Sequence, residues 1–324
     1  MIKELQLISN ERILLSPLNW GLGHVTRTIP IIEQFITQNN EVFIACSATQ
    51  KRIYKDYFTN IEFIDFPEYP LKFKVNGNWT TDILFQLPSL LKFISHEKDL
   101  VAQLIVKYDI SLIISDQRFG FYSEKIKSVC ISHQTNLLVP KWNVFAPYWN
   151  AKLLYKFNEL WIPDFKDNSL AGNLSQSNHP NHIYIGPISR FSGFQCQEQN
   201  TIKREYLAII TGPYPYDKLF FEQVVTFLSK QDKKSTIICS KNFIQKTEIP
   251  NHICVIEKPN ESTFIKLLQT SKTIISRSGY STLMDLYFTG HSAVFIPTPG
   301  QFEQKYLAEF HKNHATWKFL NKLS

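Results

Sequence analysis

The sequence predicts an α/β chain built from two doubly wound parallel sheets, each the core of its own domain. Three observations predict it. Short apolar runs alternate with helical segments through both halves, the order that parallel strands with crossover helices require. At 324 residues the chain exceeds what one hydrophobic core ordinarily serves, so two domains are expected. Hydrophobic residues at 44% and charged residues at 19% supply the apolar surface for such cores and exclude disorder as the general state.

In the first half the apolar runs place strands near 12–18, 41–46, 61–65, 111–115, 128–132 and 183–186. A second series starts at 206–211 and continues near 235–239, 253–256, 273–276 and 292–296. Between the two series the polar stretch Ser189 to Arg204 has the composition of a hinge linker. The expected domains are therefore 1–188 and 205–324, joined by 189–204.

Two strand ends carry chemistry. The run Arg12 to Leu18 leads into Asn19-Trp20-Gly21-Leu22-Gly23-His24 and a helix through about Gln38. Gly21 and Gly23 suit a tight strand-to-helix turn, but the third glycine of a dinucleotide fingerprint and the lysine ending of a P-loop are both missing. His24 stands at the helix start, where the positive end of the helix dipole disfavours imidazolium and keeps the ring a base. Ser16, Asp116 and His133 fall at strand carboxyl ends, where open α/β sheets gather functional groups. Asp116 reads either as the partner that orients His24 or as a helix N-cap; His133 reads as a lining residue.

The second strand end lies in the stretch Ile274 to Ala308. The apolar run Thr273 to Ser276 ends in Arg277-Ser278-Gly279, where the next helix begins. Free N–H groups and the helix dipole at such a start suit a phosphate, and Arg277 and Ser278 add side-chain donors. Asp285 lies eight residues after Arg277, placed to accept hydrogen bonds from vicinal hydroxyls as an acidic residue does for ribose in dinucleotide-binding folds. The strand His291 to Ile296 ends at Pro297-Thr298-Pro299-Gly300, and Gln301, Glu303 and Gln304 open the following helix with groups that match sugar hydroxyls.

In this order the motifs resemble the family 28 glycosyltransferases. The Ser276-Arg277-Ser278-Gly279 turn, the acidic residue eight positions after its arginine, and the proline-bounded strand before a glutamine-bearing helix carry the resemblance. The glycine-rich loop with His24 is similar to the N-terminal loop of the same superfamily. The resemblance implies the GT-B arrangement, two Rossmann-like domains facing across a cleft. It implies a UDP-linked nucleotide-sugar donor, with Arg277, Ser278 and Gly279 at the diphosphate, Gly212 approaching it, Asp285 at the ribose, Glu303 with Gln304 at the sugar, and Gly21 and Gly23 of the N-terminal loop also binding the donor. His24 is then the catalytic base and Asp116 its partner, in an inverting hexosyl transfer to a glycan, lipid-linked or other cell-envelope acceptor.

No cofactor is expected, and with no Asp-x-Asp to hold a metal on the diphosphate, no metal either. The sequence departs from the family at Thr211-Gly212-Pro213-Tyr214-Pro215, where two prolines remove N–H donors, and at Glu303, where an amide is expected. Only twenty residues follow Gln304, where the family has further helices, which reads as a shortened member or as a gene product cut short. Two other functions fit the same donor pocket: a nucleotide-sugar 2-epimerase, and a non-catalytic nucleotide-sugar-binding partner or sensor.

The remaining composition bounds the setting. Five scattered cysteines without metal spacing suit a reducing compartment, and the N-terminus has no secretory pattern, so a cytoplasmic enzyme is expected. The net charge of +7 favours anionic partners, which a nucleotide diphosphate or an acidic membrane face supplies. With no zinc knuckle, aromatic RNP pattern or basic arm, nucleic acid is not an expected partner. The segments Tyr69 to Lys98 and Val139 to Phe157 mix lysines with aromatics. They read as a face for an acceptor or for peripheral contact with the inner membrane surface, or as solvated helices with snorkelling lysines.

Overall fold

The computed structural model describes residues 5–21, 23–71, 82, 85–139, 145–193, 202–239, 243 and 248–323. The chain forms two compact units, Met1–Lys72 with Ile83–Arg190, and Phe73–Asp82 with Phe191–Ser324. The first holds a parallel sheet of β1 (Arg12–Pro17), β2 (Glu41–Cys46), β3 (Glu62–Asp65), β4 (Leu112–Asp116), β5 (Lys127–Ile131), β6 (Glu159–Ile162) and β7 (His182–Tyr184). Its helices include α1 (Gly23–Thr37), α2 (Ala48–Tyr54), α3 (Leu87–Tyr108) and α4 (Phe145–Leu154). The strand order is β3-β2-β1-β4-β5-β6-β7.

Successive residues of β1 point to opposite faces of the sheet, and both faces are covered. Ile13 and Leu15 enter one core with Val25, Ile29, Phe35 and Trp161. Leu14 enters the other with Val101, Ile113 and Phe121. Burial on both sides explains why these strands are continuous apolar runs rather than alternating ones.

The second unit repeats the plan with β8 (Arg204–Ile210), β9 (Ser235–Cys239), β10 (Ile253–Glu257), β11 (Ser271–Ser276), β12 (Ser292–Phe295) and β13 (Trp317–Phe319). Its helices include α5 (Tyr216–Ser229), α6 (Glu261–Gln269), α7 (Tyr280–Thr289) and α8 (Phe302–Phe310). The order is β10-β9-β8-β11-β12-β13. Strand order therefore reverses between β1 and β4 in the first sheet and between β8 and β11 in the second. Open α/β sheets bind ligands outside the carboxyl ends of the strands at such switch points.

Two strands go beyond those expected from sequence. Glu159–Ile162 is four residues long and starts with a charged residue, yet Leu160, Trp161 and Ile162 are buried; Trp317–Phe319 is shorter still. The two units part between Arg190 and Phe191, within the stretch 189–204, of which residues 194–201 lie outside the described set. Among the described residues, Asp82 groups with the second unit. There burial, and after it the Asp82 carboxylate, raises the Tyr216 phenol. No helix among the described residues is long and apolar enough to cross a membrane.

A buried clamp fixes the loop that follows β4. Glu97 of α3, fully buried, accepts hydrogen bonds from Arg118 Nε at 2.6 Å, Gly120 N at 2.9 Å and Tyr69 Oη at 3.0 Å. Arg118 also donates to Pro67 O at 2.7 Å, and Phe119 N donates to Tyr69 Oη at 2.9 Å. A buried ion pair is tolerable only when further hydrogen bonds satisfy it in this way. Gly120 has no room for a side chain: a Cβ would lie 2.3 Å from Ile94 O and 2.7 Å from Glu97 Oε2. Gly120→Ala should cost roughly 1–3 kcal/mol of stability, measured as a lower urea midpoint at unchanged slope.

Candidate active site

The first domain gathers its functional groups at the β1/β4 switch point. Gly21 has φ +87°, a left-handed conformation that glycine adopts without steric cost, and it turns the chain from β1 toward α1. Leu18 N donates to Asp116 O at 2.9 Å, and Gln50 Nε2 to Leu18 O at 3.1 Å. Asn19 Oδ1 accepts from Tyr69 N at 3.2 Å. The loop is thus tied to both neighbouring elements before Gly23 opens the helix.

His24 Nδ1 lies 3.1 Å from Asp116 Oδ2. The histidine side chain is 13% exposed and the aspartate fully buried. The carboxylate bonds His24 and Arg27, and no described helix starts directly after it. Nε2 of His24 has no hydrogen-bond partner among the described residues.

Arg27, which the sequence reading passed over, completes the cluster. Its Nε donates to Asp116 Oδ2 at 2.9 Å and its Nη2 to Asp116 Oδ1, a bidentate fork between two buried groups. Nη2 also lies 2.9 Å from His24 Nδ1, and Nη1 lies 3.1 Å from His133 Nδ1. Arg27 is one helical turn after His24, on the same face of α1. An arginine within the uncharged run Val25 to Ile32 was the available signal. Ser16, expected on this rim, instead donates its hydroxyl to Ala45 O at 2.6 Å, bracing β1 against β2.

Burial lowers the pKa of the His24 imidazole, and the Arg27 cation and His133 push the same way against the attraction of Asp116. Burial alone would raise the Asp116 carboxyl, but Arg27 and His24 outweigh it and hold the group below its ordinary value. At neutral pH the cluster therefore holds one cation, one anion and a neutral His24.

The second domain presents a different set at the β8/β11 switch point. Gly212 follows β8 with φ +120° and a cis peptide joins Tyr214 to Pro215, after which α5 begins. Gly279 caps α7 with an ordinary φ of −74°. A methyl there would meet only Gln304 Nε2, at 4.0 Å, so neither strain nor internal packing demands glycine; its absent side chain gives clearance over the helix start.

The side chains of Arg277 and Ser278, expected to add donors for a diphosphate, are turned into the domain. Arg277 stacks on Phe220 at 4.1 Å and donates to Pro297 O at 3.1 Å, Ile296 O at 3.3 Å and Tyr216 O at 3.4 Å. Burial lowers its guanidinium to about 10, still charged at neutral pH, and its Nε has no hydrogen-bond partner among the described residues. Ser278 Oγ donates to Gln304 O at 3.0 Å. Gln304 is buried and its Oε1 accepts from Thr298 N at 2.7 Å, so one residue joins the turn after β11, the loop after β12 and the start of α8. Asp285 in α7 and Glu303 in α8 are half-buried.

Comparison with known proteins agrees with this fold. Residues 195–322 match the model of the glycosyltransferase family 28 C-terminal domain. No curated protein matches the chain in sequence. Among solved structures, the glycosyltransferase of kitacinnamycin superposes with a TM-score of 0.65 at 13% identity, covering 97% of this chain and 87% of that one. The MurG of Acinetobacter baumannii gives 0.55 at 15% identity over 95% and 85%. The spinosyn rhamnosyltransferase SpnG, complexed with thymidine diphosphate, gives 0.61 at 12% identity over 96% and 86%.

The fold is that of the GT-B enzymes, two Rossmann-like domains, and with the family match it defines the class: this is a glycosyltransferase. Within that class the chain resembles family 28, the model of whose C-terminal domain matches residues 195–322.

Breaking the buried pair tests its place in the fold. Asp116→Asn leaves Arg27 a buried cation without its anion, and should cost about 3–5 kcal/mol in chemical denaturation. Acidification should act in the same direction. His24 and Asp116 both have folded-state values below their unfolded ones, so the stability they contribute is full above the ordinary histidine value. It is lost first as pH falls through the histidine range and then through the carboxylate range. A denaturation midpoint that holds level from neutral pH into the carboxylate range would contradict this.

Proposed function

We propose that the protein transfers a hexose or N-acetylhexosamine from a nucleoside-diphosphate sugar, uridine-linked, to a hydroxyl of a cell-envelope or lipid-linked acceptor, with inversion and without a metal. The observation that carries the reading is the hydrogen-bonded pair of His24 and Asp116 at the switch point of the first sheet. Such a pair suits general-base chemistry: the carboxylate accepts the Nδ1 proton, orients the ring and leaves Nε2 as the basic nitrogen.

In the proposed step Nε2 takes the acceptor hydroxyl proton as that oxygen forms a bond to the anomeric carbon. The bond from the anomeric carbon to the diphosphate oxygen breaks on the opposite face, and its electron pair leaves with the nucleoside diphosphate. Displacement from the opposite face inverts the anomeric centre.

The second domain supplies the anion site in this reading. The N–H groups at the start of α7 face the clearance over Gly279, and the helix dipole favours negative charge there. Arg277 adds a buried cation whose partners among the described residues are carbonyl oxygens and an aromatic face, so its charge remains for a nearby diphosphate to balance. Gly212, Asp285, Glu303 and Gln304 are assigned to the same donor, the carboxylate of Asp285 to the ribose and the α8 pair to the sugar. Gly21 and Gly23 shape the loop that carries the base. The bound thymidine diphosphate of SpnG supports a nucleoside diphosphate as the leaving group. The likeness to MurG supports a cytoplasmic enzyme that works at the inner membrane face.

Calorimetric titration with a panel of nucleoside diphosphates and nucleotide sugars tests the donor assignment. One donor should bind in the micromolar range, and Arg277→Ala and Asp285→Ala should each weaken it. Once a donor is found, His24→Ala should lose roughly 10²–10⁴-fold in transfer rate while binding donor as before. Absence of binding to folded protein would refute the donor site, and donor turnover without any acceptor would point to an epimerase instead.

A further inference from the structure

The base assigned to His24 shares its Nδ1 between two claimants. Asp116 Oδ2 lies 3.1 Å away and Arg27 Nη2 lies 2.9 Å away, and one ring nitrogen satisfies only one of them. With a proton on Nδ1 the ring donates to Asp116, and Nε2 holds the lone pair that removes a proton from substrate. With a lone pair on Nδ1 the ring accepts from Arg27, and Nε2 carries a hydrogen and is no base.

We propose that Arg27 is a positioning residue of the transfer reaction that sets both the charge and the tautomer of His24, and so the fraction of enzyme whose Nε2 can accept a proton. The proposal rests on the reading of His24 as the base.

Charge balance explains why an arginine stands here. The groups that face the imidazole are Arg27 from α1, Asp116 from β4 and His133 from the loop after β5. Nearby titratable groups are neutral: burial raises the Tyr54 phenol well above its usual value and pushes the Cys130 thiol up to about 12. If Arg27 were apolar, the buried Asp116 carboxylate would have His24 as its remaining partner of opposite charge. The stable arrangement would then be an imidazolium–carboxylate pair, with the base already protonated.

The bidentate fork of Arg27 removes that drive. It neutralises Asp116 through both oxygens, so the carboxylate orients the ring without capturing a proton on it. The fork is planar and cannot be deprotonated at working pH, which a lysine amine does not reproduce. Arg27 is 2% exposed and Asp116 fully buried, where charges interact far more strongly than in water.

Nitrogen-15 labelling of the histidines in the full chain tests this without an acceptor. Two-bond proton–nitrogen correlation spectra separate the two tautomers and the imidazolium, and His24→Gln identifies the resonance. In the parent protein His24 should stay neutral well into the acid range, with both tautomers contributing to its averaged shifts. Arg27→Met should raise the titration midpoint, with about tenfold less neutral ring on the acid side for each pH unit of movement. The remaining neutral ring should be the Nδ1–H form.

Arg27→Lys keeps the charge and loses the fork. Its midpoint should stay low while the tautomer ratio moves, and it serves as the second variant should Arg27→Met fail to fold. A tautomer ratio and midpoint that neither folded variant changes would overturn the proposal. If the variants shift the resonance as stated but His24→Ala transfers sugar at the parent rate, the base assignment fails and the control of the imidazole by Arg27 stands.

Discussion

The bidentate pair between Arg27 and Asp116 is the constraint on which the first domain's site depends. Two charges leave water only if each finds the other in good geometry and the remaining donors are satisfied. Here the fork supplies the geometry, and the Nδ1 atoms of His24 and His133 lie within hydrogen-bond distance of Nη2 and Nη1. Because Arg27 lies in the first turns of α1 and Asp116 ends β4, satisfying the pair also seats the helix start against the switch point. The imidazole one turn earlier on α1 is carried with it. The clamp of Glu97 and Arg118 holds the loop just beyond the same strand, so two buried ion pairs secure adjoining stretches of backbone.

The two domains solve one topological problem with opposite electrostatics. Each sheet reverses order beside its first strand and opens a crevice at the carboxyl ends. In the first domain the crevice gathers a carboxylate and imidazoles around an internal cation, an arrangement that accepts a proton. In the second it gathers a helix N-terminus, a glycine without a packing reason and a buried guanidinium, an arrangement that accepts an anion. Proton removal and anion departure are the two halves of a glycosyl transfer, and in the proposed reaction each falls to one copy of the fold.

Much of this was legible in the sequence, for reasons tied to particular residues. Strands buried on both faces appear as unbroken apolar runs, so β1, β4, β8 and β11 stand out, and with them the glycines and polar residues that follow. The charge-bearing turns after β1 and β11 could be read because they interrupt those runs abruptly. Short strands escape such reading: Glu159–Ile162 has one helical turn's worth of residues and a charged start, and Trp317–Phe319 has fewer. Side-chain direction escapes it as well. Nothing in the order of residues says that Arg277 stacks on Phe220, that Ser278 turns toward Gln304, or that Ser16 bonds across to β2. Arg27 resembled any surface arginine until the fold set it beside Asp116.

Gln304 bears on how such an enzyme can change. Its backbone oxygen holds Ser278 and its side-chain oxygen holds Thr298, so three segments of the second domain share one fastening. A residue in that situation couples the geometry of the loop after β12 to that of α8. Drift or laboratory selection cannot replace the amide without also releasing the loop after β12, whereas any residue there keeps the main-chain oxygen that holds the turn before α7. Change is then channelled to neighbouring positions on α8, while Gln304 itself behaves as part of the frame.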